Sequence, residues 1–274
     1  MTDGSVVPDR ESELAPAGDG STPGDGFMPG DGVFEAVKVV DGVPFALTRH
    51  LRRLAASVRE LGLGDPDVDA VRAAVVDALG SAPRAPRQRL RVTYAAVSTT
   101  SGRGDCAATL MVTVSPLGDW PPTTSVVTVP WPHNERGATV GMKTTSYAEN
   151  ALALTLATAR GATEAIFGNT RGELCEGTGS NVVVAVRGGL LTPPLASGCL
   201  PGVTRALLLD WGLVEEATLD LSVLTTADEV ALASTTRDVH PVHAVDGREL
   251  AAPGPLTRRA MDEFARLAAD QVDP

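Results

Sequence analysis

Lysine is almost absent from this chain. Of its 23 basic residues only Lys38 and Lys143 are lysines, and the other 21 are arginines. Arginine supplies positive charge wherever charge alone suffices, whereas a lysine amine can lose its proton and form a Schiff base with a carbonyl group. Lys143 lies in the run 142–150, Met-Lys-Thr-Thr-Ser-Tyr-Ala-Glu-Asn, which opens a helical pattern. It is therefore a candidate for covalent catalysis, and an exposed charge at the start of a helix is the alternative.

An acidic residue stands at the other end of the same helix and strand unit. Residues 172–181 read Gly-Glu-Leu-Cys-Glu-Gly-Thr-Gly-Ser-Asn and open an apolar run typical of a buried strand. Glu176 lies where this strand begins, at the other end of the unit from Lys143. Glu173 is the rival carboxylate, and an exposed acid at a Glu-Gly turn is the structural alternative.

A third stretch could bind an anion. Residues 200–205 read Leu-Pro-Gly-Val-Thr-Arg and precede a short helical pattern. The first N–H groups of a helix have no partners within the helix. The amides of Val203 and Thr204 and the threonine hydroxyl could therefore converge on a phosphate group, with the helix dipole behind them. Taken alone, this signal is weak.

These motifs, with His-Leu-Arg-Arg-Leu at 50–54, resemble the class IV pyridoxal-phosphate aminotransferases. The likeness runs from about residue 25 to about residue 247, in the order that the family shows. The family contains branched-chain aminotransferases, D-amino-acid aminotransferases and aminodeoxychorismate lyases. The resemblance implies an α+β fold with a small N-terminal and a larger C-terminal domain, with pyridoxal 5'-phosphate in the cleft between them. It also implies a homodimer in which loops of one subunit border the pocket of the other.

The resemblance implies roles for six residues. Lys143 would bind the aldehyde of the cofactor and, once released by substrate, move protons at the α-carbon. Glu176 would lie against the pyridine nitrogen and favour the protonated ring, which draws electrons from the reacting carbon. The phosphate group would be held by Arg53, Val203, Thr204 and Thr235. His50 is interpreted as a packing or capping residue outside the site, and Arg52 as a solvated side chain.

Within the family, the chain looks closest to aminodeoxychorismate lyase, which releases pyruvate from 4-amino-4-deoxychorismate to give 4-aminobenzoate. The D-amino-acid enzymes carry an Arg-x-His pair in the strand that here reads Arg-Val-Thr-Tyr-Ala-Ala at 91–96, and no such pair is present. Branched-chain enzymes usually have two glycines and an asparagine after the lysine, where this chain has Thr-Thr-Ser at 144–146. The Arg103-Gly104 turn and the Gly-Asp-Gly-Val-Phe hairpin at 30–34 look closer to the lyases.

Two features oppose the lyase interpretation. Glu35 stands where some lyases have a threonine, and the family's Thr-Gly-Thr loop is altered to Ala-Ser-Thr at 233–235. A transaminase acting on branched-chain or D-amino acids with 2-oxoglutarate is therefore the alternative. A binding protein that kept the fold without catalysis is a third hypothesis, which the absence of Lys143 or Glu176 would favour; both are present.

The composition is that of an ordinary globular enzyme with a small-molecule substrate. A net charge of -11 argues against nucleic-acid or membrane-surface partners, which would repel it. Three cysteines without a Cys-x-x-Cys spacing, and no basic-then-apolar leader before residue 25, lead us to expect a cytoplasmic protein with reduced thiols. The four histidines are scattered without carboxylates at ligand spacing, so no metal site is expected.

The elements that must position these residues follow from periodicity and turn signals. Residues 1–24 are poor in large apolar side chains and are expected to be a disordered tail. A hairpin turning at Asp41-Gly42 is predicted next, followed by a helix capped by Thr48 and a second helix over 67–79. Paired strands are predicted over 89–97 and 107–114. These elements form a small domain over 25–116.

The larger domain is predicted over 117–274, after a proline-rich boundary at 115–122. Its first helix follows Lys143, with Ala148, Leu152, Leu156 and Ala159 spaced to share a face. Strands are predicted over 125–129, 164–167, 182–186, 190–192 and 229–234. Helices are predicted over 203–211 and 255–270, and the last of these turns Phe264 inward.

Overall fold

The structure is a computed structural model that describes residues 31–97 and 107–274. The predicted tail over 1–24, the motif residues 25–30, the turn over 101–104 and Cys106 lie outside the described residues. Everything below concerns the described part of the chain.

The first half is a four-stranded antiparallel sheet with two helices. Its strands are β1 (Gly32–Val40), β2 (Val43–Pro44), β3 (Arg87–Val97) and β4 (Ala107–Pro116), in the order β2-β1-β3-β4. Its helices are α1 (Leu47–Glu60) and α2 (Val68–Ser81). The hairpin at Asp41-Gly42 is confirmed, because these residues have φ angles of 49° and 83° and Val40 pairs with Val43. The pairing of β3 with β4 is confirmed as well.

Successive side chains of β1 lie on opposite faces of the first sheet. Val33, Val37 and Val39 pack with Leu51 and Leu54 of α1 in one buried cluster. Residues of the other face include Phe34, Ala36 and Lys38, since successive side chains of a strand point to opposite sides. That second face borders the rest of the molecule, where the candidate site lies.

The second half is a nine-stranded mixed sheet with three helices. Its strands are β5 (Thr124–Thr128), β6 (Glu164–Gly168), β7 (Leu174–Gly177), β8 (Asn181–Val186), β9 (Gly189–Thr192), β10 (Glu215–Glu216), β11 (Glu229–Ser234), β12 (Asp238–Val245) and β13 (Arg248–Glu249). The order is β10-β9-β8-β11-β12-β5-β6-β7, and β13 pairs with β12. Its helices are α3 (Ala148–Ala159), α4 (Val203–Asp210) and α5 (Pro255–Asp270), with 3-10 turns at Leu195–Ser197 and Leu221–Thr225.

The α+β class is confirmed by these two separate sheets. Residues up to Pro116 build the first sheet, and residues from Thr124 build the second. The division into domains over 25–116 and 117–274 stays a prediction that agrees with this separation. None of the helices in the described ranges has the length and apolar character needed to cross a membrane.

The predicted cap of α1 was wrong. Helix α1 begins at Leu47 behind Ala46, so Thr48 lies inside the first turn and is not its cap. The Thr48 N–H and hydroxyl instead bond to the carboxylate of Asp273, at 2.8 and 2.6 Å, so the acceptor comes from the far end of the chain. In α3 the buried residues are Ala153 and Ala157, whereas Leu152 is 59% exposed.

Candidate active site

A cavity of about 290 Å³ lies where the two sheets approach each other. Ala36 and Arg53 contribute to its wall from the first half of the chain. The remaining wall comes from the second half and includes five further residues of the predicted site: Lys143, Glu176, Val203, Thr204 and Thr235. The structure therefore brings all six predicted residues to one cavity.

Lys143 is held at the junction of the two halves by main-chain bonds. Its carbonyl oxygen accepts the N–H of Phe34 at 2.8 Å, and the Thr145 N–H donates to the Gly32 carbonyl at 2.8 Å. The segment after Lys143 thus extends along β1. The Lys143 Nζ lies 3.2 Å from the Tyr147 hydroxyl and 4.5 Å from the centre of the Phe34 ring. These contacts leave its amine at the cavity wall.

The second lysine has a different environment. Lys38 Nζ binds both carboxylate oxygens of Asp238, at 2.5 and 2.6 Å, and the residue is buried. Since Lys38 lies on β1 and Asp238 begins β12, this ion pair joins the two halves of the chain. A paired, buried ammonium is a poor nucleophile, so Lys143 is the better candidate for covalent chemistry.

Glu176 lies on β7 with its side chain at the cavity. Its Oε2 accepts the Leu200 N–H at 2.8 Å. Burial raises the pKa of this carboxyl to about 7, although the Leu200 N–H and the nearby Lys143 lower it. A desolvated carboxylate of this kind is suited to a cationic partner such as a protonated ring nitrogen. The rival Glu173 bonds instead to Arg171 and Asn169, at 2.6 and 2.7 Å.

The start of α4 faces the cavity without a side-chain cap. Gly202 is its N-cap residue, and no side chain bonds to the first turn there. A Cβ on Gly202 would lie 2.0 Å from the Asn181 Oδ1, so close packing requires glycine at this position. The amides of Val203 and Thr204 are at the N-terminal end of the helix, where an anion is favoured.

Arg53 reaches the same place from α1. Its Nη1 donates to the Pro201 carbonyl at 2.9 Å, directly before the α4 start. Its Nε and Nη2 donate to the two carboxylate oxygens of Glu35, at 2.7 and 2.6 Å. Burial lowers the pKa of Arg53, but Glu35 outweighs it and the net pKa is raised. The guanidinium therefore stays charged beside the uncapped helix.

Two residues that the sequence analysis left outside the site adjoin it. His50 and Glu35 are completely buried, and the His50 Nδ1 lies 2.7 Å from the Glu35 carboxylate. The His50 Nε2 lies 3.4 Å from the Thr235 hydroxyl, in the loop between β11 and β12. Glu35 and His50 are fifteen positions apart in the sequence, and no motif there indicates that they form a pair. Their contact is visible only once β1 and α1 are packed together.

No competing centre was found within the described ranges. They contain no group of three or more His, Cys, Asp or Glu side chains able to hold a metal ion. Cys175 and Cys199 are buried free thiols. Burial raises the pKa of both, that of Cys199 to about 12, so neither is an activated nucleophile.

The residues present fit pyridoxal phosphate. The cofactor requires an amine for its aldehyde, an acid near its ring nitrogen and donors for its phosphate group. The cavity offers Lys143 for the first and the desolvated Glu176 carboxylate for the second. It offers the α4 start with Arg53 for the third.

Comparisons with known proteins agree with this cavity chemistry. A provisionally named branched-chain-amino-acid aminotransferase of Methanocaldococcus jannaschii is 29% identical over 256 residues, 85% of either chain. Three further curated relatives named as branched-chain aminotransferases or as similar to them match over less than half of their own length, whereas the solved branched-chain aminotransferase of Thermoproteus uzoniensis is 27% identical with a TM-score of 0.79, covering 88% of this chain and 86% of that one. A hypothetical aminotransferase of Mycobacterium tuberculosis, solved with pyridoxal phosphate bound, is 30% identical. That match has a TM-score of 0.76 and covers 88% of this chain and 90% of that one.

The fold is shared with a further solved structure, a provisionally named 4-amino-4-deoxychorismate lyase of Legionella pneumophila. Its TM-score is 0.81 and its identity 22%, covering 89% of this chain and 96% of that one, so it supports the fold alone. The profile of the family described as amino-transferase class IV matches residues 32–245. This chain therefore belongs to the class IV aminotransferase family of pyridoxal-phosphate-dependent enzymes.

Proposed function

We propose that the enzyme is an aminodeoxychorismate lyase, which converts 4-amino-4-deoxychorismate into 4-aminobenzoate and pyruvate for folate synthesis. The observation that carries the proposal is that a half-buried arginine and the candidate lysine both contact the ring of Phe34. The Arg91 guanidinium lies 3.9 Å from the centre of the Phe34 ring, and the Lys143 Nζ lies 4.5 Å from the same centre. A carboxylate near this ring would be attracted to the Arg91 guanidinium.

Arg91 lacks a compensating acid among the residues that the structure describes. No ion pair links it to an Asp or Glu there, and burial together with Arg89 lowers its pKa. A half-buried cation without an acidic partner favours an anionic ligand. Aminodeoxychorismate carries two carboxylates, whereas the side chain of a branched-chain amino acid carries none. Arg91 thus favours an acidic ligand over an aliphatic side chain, and 2-oxoglutarate, the acceptor of the alternative reaction, is acidic as well.

The polarity of the cavity wall near Lys143 supports the same choice. Hydroxyl and amide side chains are frequent there, including Thr144, Ser146, Asn150 and Thr178. An aliphatic substrate side chain would gain little from such a surface, since its binding energy comes from apolar contact. A ring that carries carboxylate and amine groups can bond to it.

The proposed reaction requires no second substrate. Bound pyridoxal phosphate supplies an electron sink for the carbon that bears the amino group. Lys143 takes the proton from that carbon, and the Tyr147 hydroxyl, 3.2 Å from its Nζ, orients the amine. The bond between the ring and the enolpyruvyl oxygen breaks, the ring becomes aromatic, and the leaving enol gains a proton to become pyruvate. Glu176 would lie near the ring nitrogen of the bound cofactor and would favour its protonated form.

A transaminase acting on branched-chain or D-amino acids with 2-oxoglutarate is the second candidate. The similarity to the Methanocaldococcus jannaschii protein, over 85% of either chain, favours it. Glu35 favours it as well, because some lyases have threonine at the corresponding position.

One experiment separates the two reactions. Purified enzyme with its cofactor is incubated with aminodeoxychorismate and no 2-oxo acid, and 4-aminobenzoate and pyruvate are measured. The lyase proposal requires equal amounts of both products through many turnovers. A transaminase would instead stop after one equivalent with an amino donor alone and resume when 2-oxoglutarate is added. Resumption with a branched-chain or D-amino acid, without any 4-aminobenzoate, would overturn the proposal.

We further propose that the enzyme is a cytoplasmic homodimer. The support is the family resemblance together with apolar side chains on the surface, including Leu152 and Met111, which are 59% and 54% exposed. Light scattering of the purified protein tests the oligomeric state, and a monomer at micromolar concentration would contradict it.

A further inference from the structure

Glu35 and His50 form a buried pair behind the proposed phosphate end of the cavity. Both side chains are 0% exposed, and His50 Nδ1 lies 2.7 Å from the Glu35 Oε2. Glu35 is on β1 and His50 on α1, so the pair connects strand and helix. A buried charge is retained only when bonded partners offset its desolvation, and here the partners are Arg53 and His50.

The pair fixes the hydrogen-bonding role of each imidazole nitrogen. Burial alone would raise the pKa of Glu35, but Arg53 and His50 outweigh it and hold the pKa at about 2, so the group is a carboxylate. A carboxylate only accepts hydrogen bonds, so the His50 Nδ1 must carry a proton. Burial lowers the pKa of His50 despite the opposing effect of Glu35, and Arg53 and Lys143 lower it further. The ring is therefore neutral, and its Nε2 is an acceptor.

That assignment determines the direction of the next bond. The His50 Nε2 lies 3.4 Å from the Thr235 hydroxyl. An unprotonated Nε2 can only accept, so the hydroxyl proton of Thr235 points at His50. The hydroxyl then anchors the loop between β11 and β12 to α1, and it has no second proton for a ligand.

The other side of Glu35 positions the guanidinium. Two parallel bonds from Arg53 Nε and Nη2 to the carboxylate fix the plane of the guanidinium group, and its Nη1 bonds to Pro201. A bidentate pair of this kind adds geometric specificity to charge attraction. The edge formed by Nη1 and Nη2 thereby borders the start of α4. Glu35 thus fixes the orientation of the Arg53 guanidinium and, through His50, the direction of the Thr235 hydroxyl.

We infer that Glu35 and His50 are positioning residues for the phosphate end of the site, where Glu35 fixes Arg53 and His50 fixes the Thr235 hydroxyl. The inference rests on the proposed location of the phosphate group, and it is independent of whether the enzyme is a lyase or a transaminase. It gives Thr235 a role through His50 in place of a direct hydroxyl bond to the ligand.

The binding test uses pyridoxine 5'-phosphate, which lacks the aldehyde and so reports on the phosphate without bonding to lysine. Its dissociation constant is measured by calorimetry on the cofactor-free protein, with pyridoxine as the comparison. Thr235→Val removes the bond that anchors the loop to α1 and should weaken binding by up to about fivefold, the full free energy of one neutral hydrogen bond. Thr235→Ser keeps the hydroxyl and should bind like the wild type.

The role of His50 is tested with the same binding measurement, in a double-mutant cycle with Thr235. His50→Asn retains an N–H toward Glu35 but has no group at the Nε2 position, and it should weaken binding about as much as Thr235→Val. Adding Thr235→Val to His50→Asn should then change the dissociation constant by less than about 1.5-fold, because the two residues act through one bond. An equal loss in both backgrounds, or no loss in either, would overturn the inference.

Nitrogen NMR of the wild-type protein gives a second readout that needs no variant to fold. With ¹⁵N-labelled histidine, the His50 signals should show a protonated Nδ1 and an unprotonated Nε2 at pH 7.5. A protonated Nε2 would overturn the role assigned to Thr235. Equal affinities for pyridoxine and its phosphate would overturn the phosphate location and this inference together, whereas the products of turnover bear only on the reaction.

Discussion

The two ends of the cavity differ in how fully the protein supplies partners for their charged side chains. At the phosphate end, Arg53 has bonds to Glu35 and Pro201, and Glu35 has a second buried partner in His50. At the reactive end, burial raises the pKa of Glu176 to about 7, and Lys143 Nζ bonds to one hydroxyl. At the phosphate end the charged side chains are paired with each other before any ligand binds. At the reactive end, a ligand would have to supply the partners of the charged groups. Perturbed groups of the second kind cluster where chemistry takes place.

The largest effect is expected from the reactive lysine. Lys143→Ala removes both the amine for the aldehyde and the base for the proton, so turnover should fall by at least about 10³-fold. Reduction of the wild-type enzyme with borohydride should fix the cofactor to the peptide that contains Lys143, as peptide mass spectrometry would show.

The matched control for this prediction is the other lysine. Lys38→Arg keeps the positive charge opposite Asp238 and should leave the label on Lys143. A label on Lys38 of the wild-type protein, or a Lys143→Ala protein that still turns over at a rate near the wild type, would reverse the assignment of the two lysines.

The second effect concerns the carboxylate at the same end. In the proposed role of Glu176, Glu176→Gln removes the charge that would keep the ring nitrogen protonated, so turnover should fall about 10²-fold. The same change should stabilise the cofactor-free protein above pH 7. Because the folded pKa of about 7 exceeds the ordinary 4.5, the folded state binds the proton more tightly, and stability is lost as the pH rises between these values.

Denaturant unfolding at two pH values measures how much stability the buried, charged Glu176 carboxylate costs the cofactor-free protein. At pH 8 the Gln variant of the cofactor-free protein should exceed the wild type by about 3 kcal/mol at most, the free energy of a shift of this size. At pH 4.5 the two should be nearly equal, since both are then largely uncharged at this position. If Glu176→Gln were less stable than the wild type at pH 8, the Glu176 carboxylate would not be destabilised by burial in the cofactor-free protein.

The same contrast explains what could be predicted from the sequence. Lys143 and Glu176, which line one cavity, could be selected from the sequence because they are conspicuous in local motifs that resemble a family; their roles stay predictions. The hairpin was found because Asp41-Gly42 supplies positive φ angles in adjacent positions. Such signals are local, so they can be recognised from neighbouring residues in the sequence.

Features that depend on distant contacts were missed. The cap of α1 was assigned to Thr48, but the acceptor is Asp273, 225 positions away. His50 was left out because its partners Glu35 and Thr235 meet it only in the folded protein. Strand β12 was not predicted, since Pro241 within it argues against a strand. In α3 the sequence does not show which residues are buried, because alanine and leucine alternate there and either face satisfies the helical period; the buried residues are Ala153 and Ala157.

The third prediction tests the phosphate end. Arg53→Ala removes a charge-assisted bond and should weaken binding of pyridoxine 5'-phosphate by tens of fold, about 2 kcal/mol. Binding of pyridoxine, which has no phosphate, should change little. The neighbouring Arg52 is exposed, so Arg52→Ala is the matched control for loss of positive charge from the same helix. Similar losses in the two variants would mean that general charge, and not the position of Arg53, attracts the phosphate.

The smallest effect is expected from the tether at the start of α1, which carries both His50 and Arg53. Asp273 accepts the Thr48 N–H and hydroxyl in the first turn, where Ala46 provides no side-chain cap. Asp273→Ala should therefore lower the Tm by about 2 °C, since exposed caps contribute modestly in a chain of this size. Because the tether acts on the helix that supports the phosphate end, affinity for pyridoxine 5'-phosphate should fall by less than about threefold. Asp273→Asn keeps an acceptor and should recover most of the Tm. A loss of turnover at saturating cofactor and substrate would contradict the separation of the two ends, because it would show that the reactive end also depends on this helix.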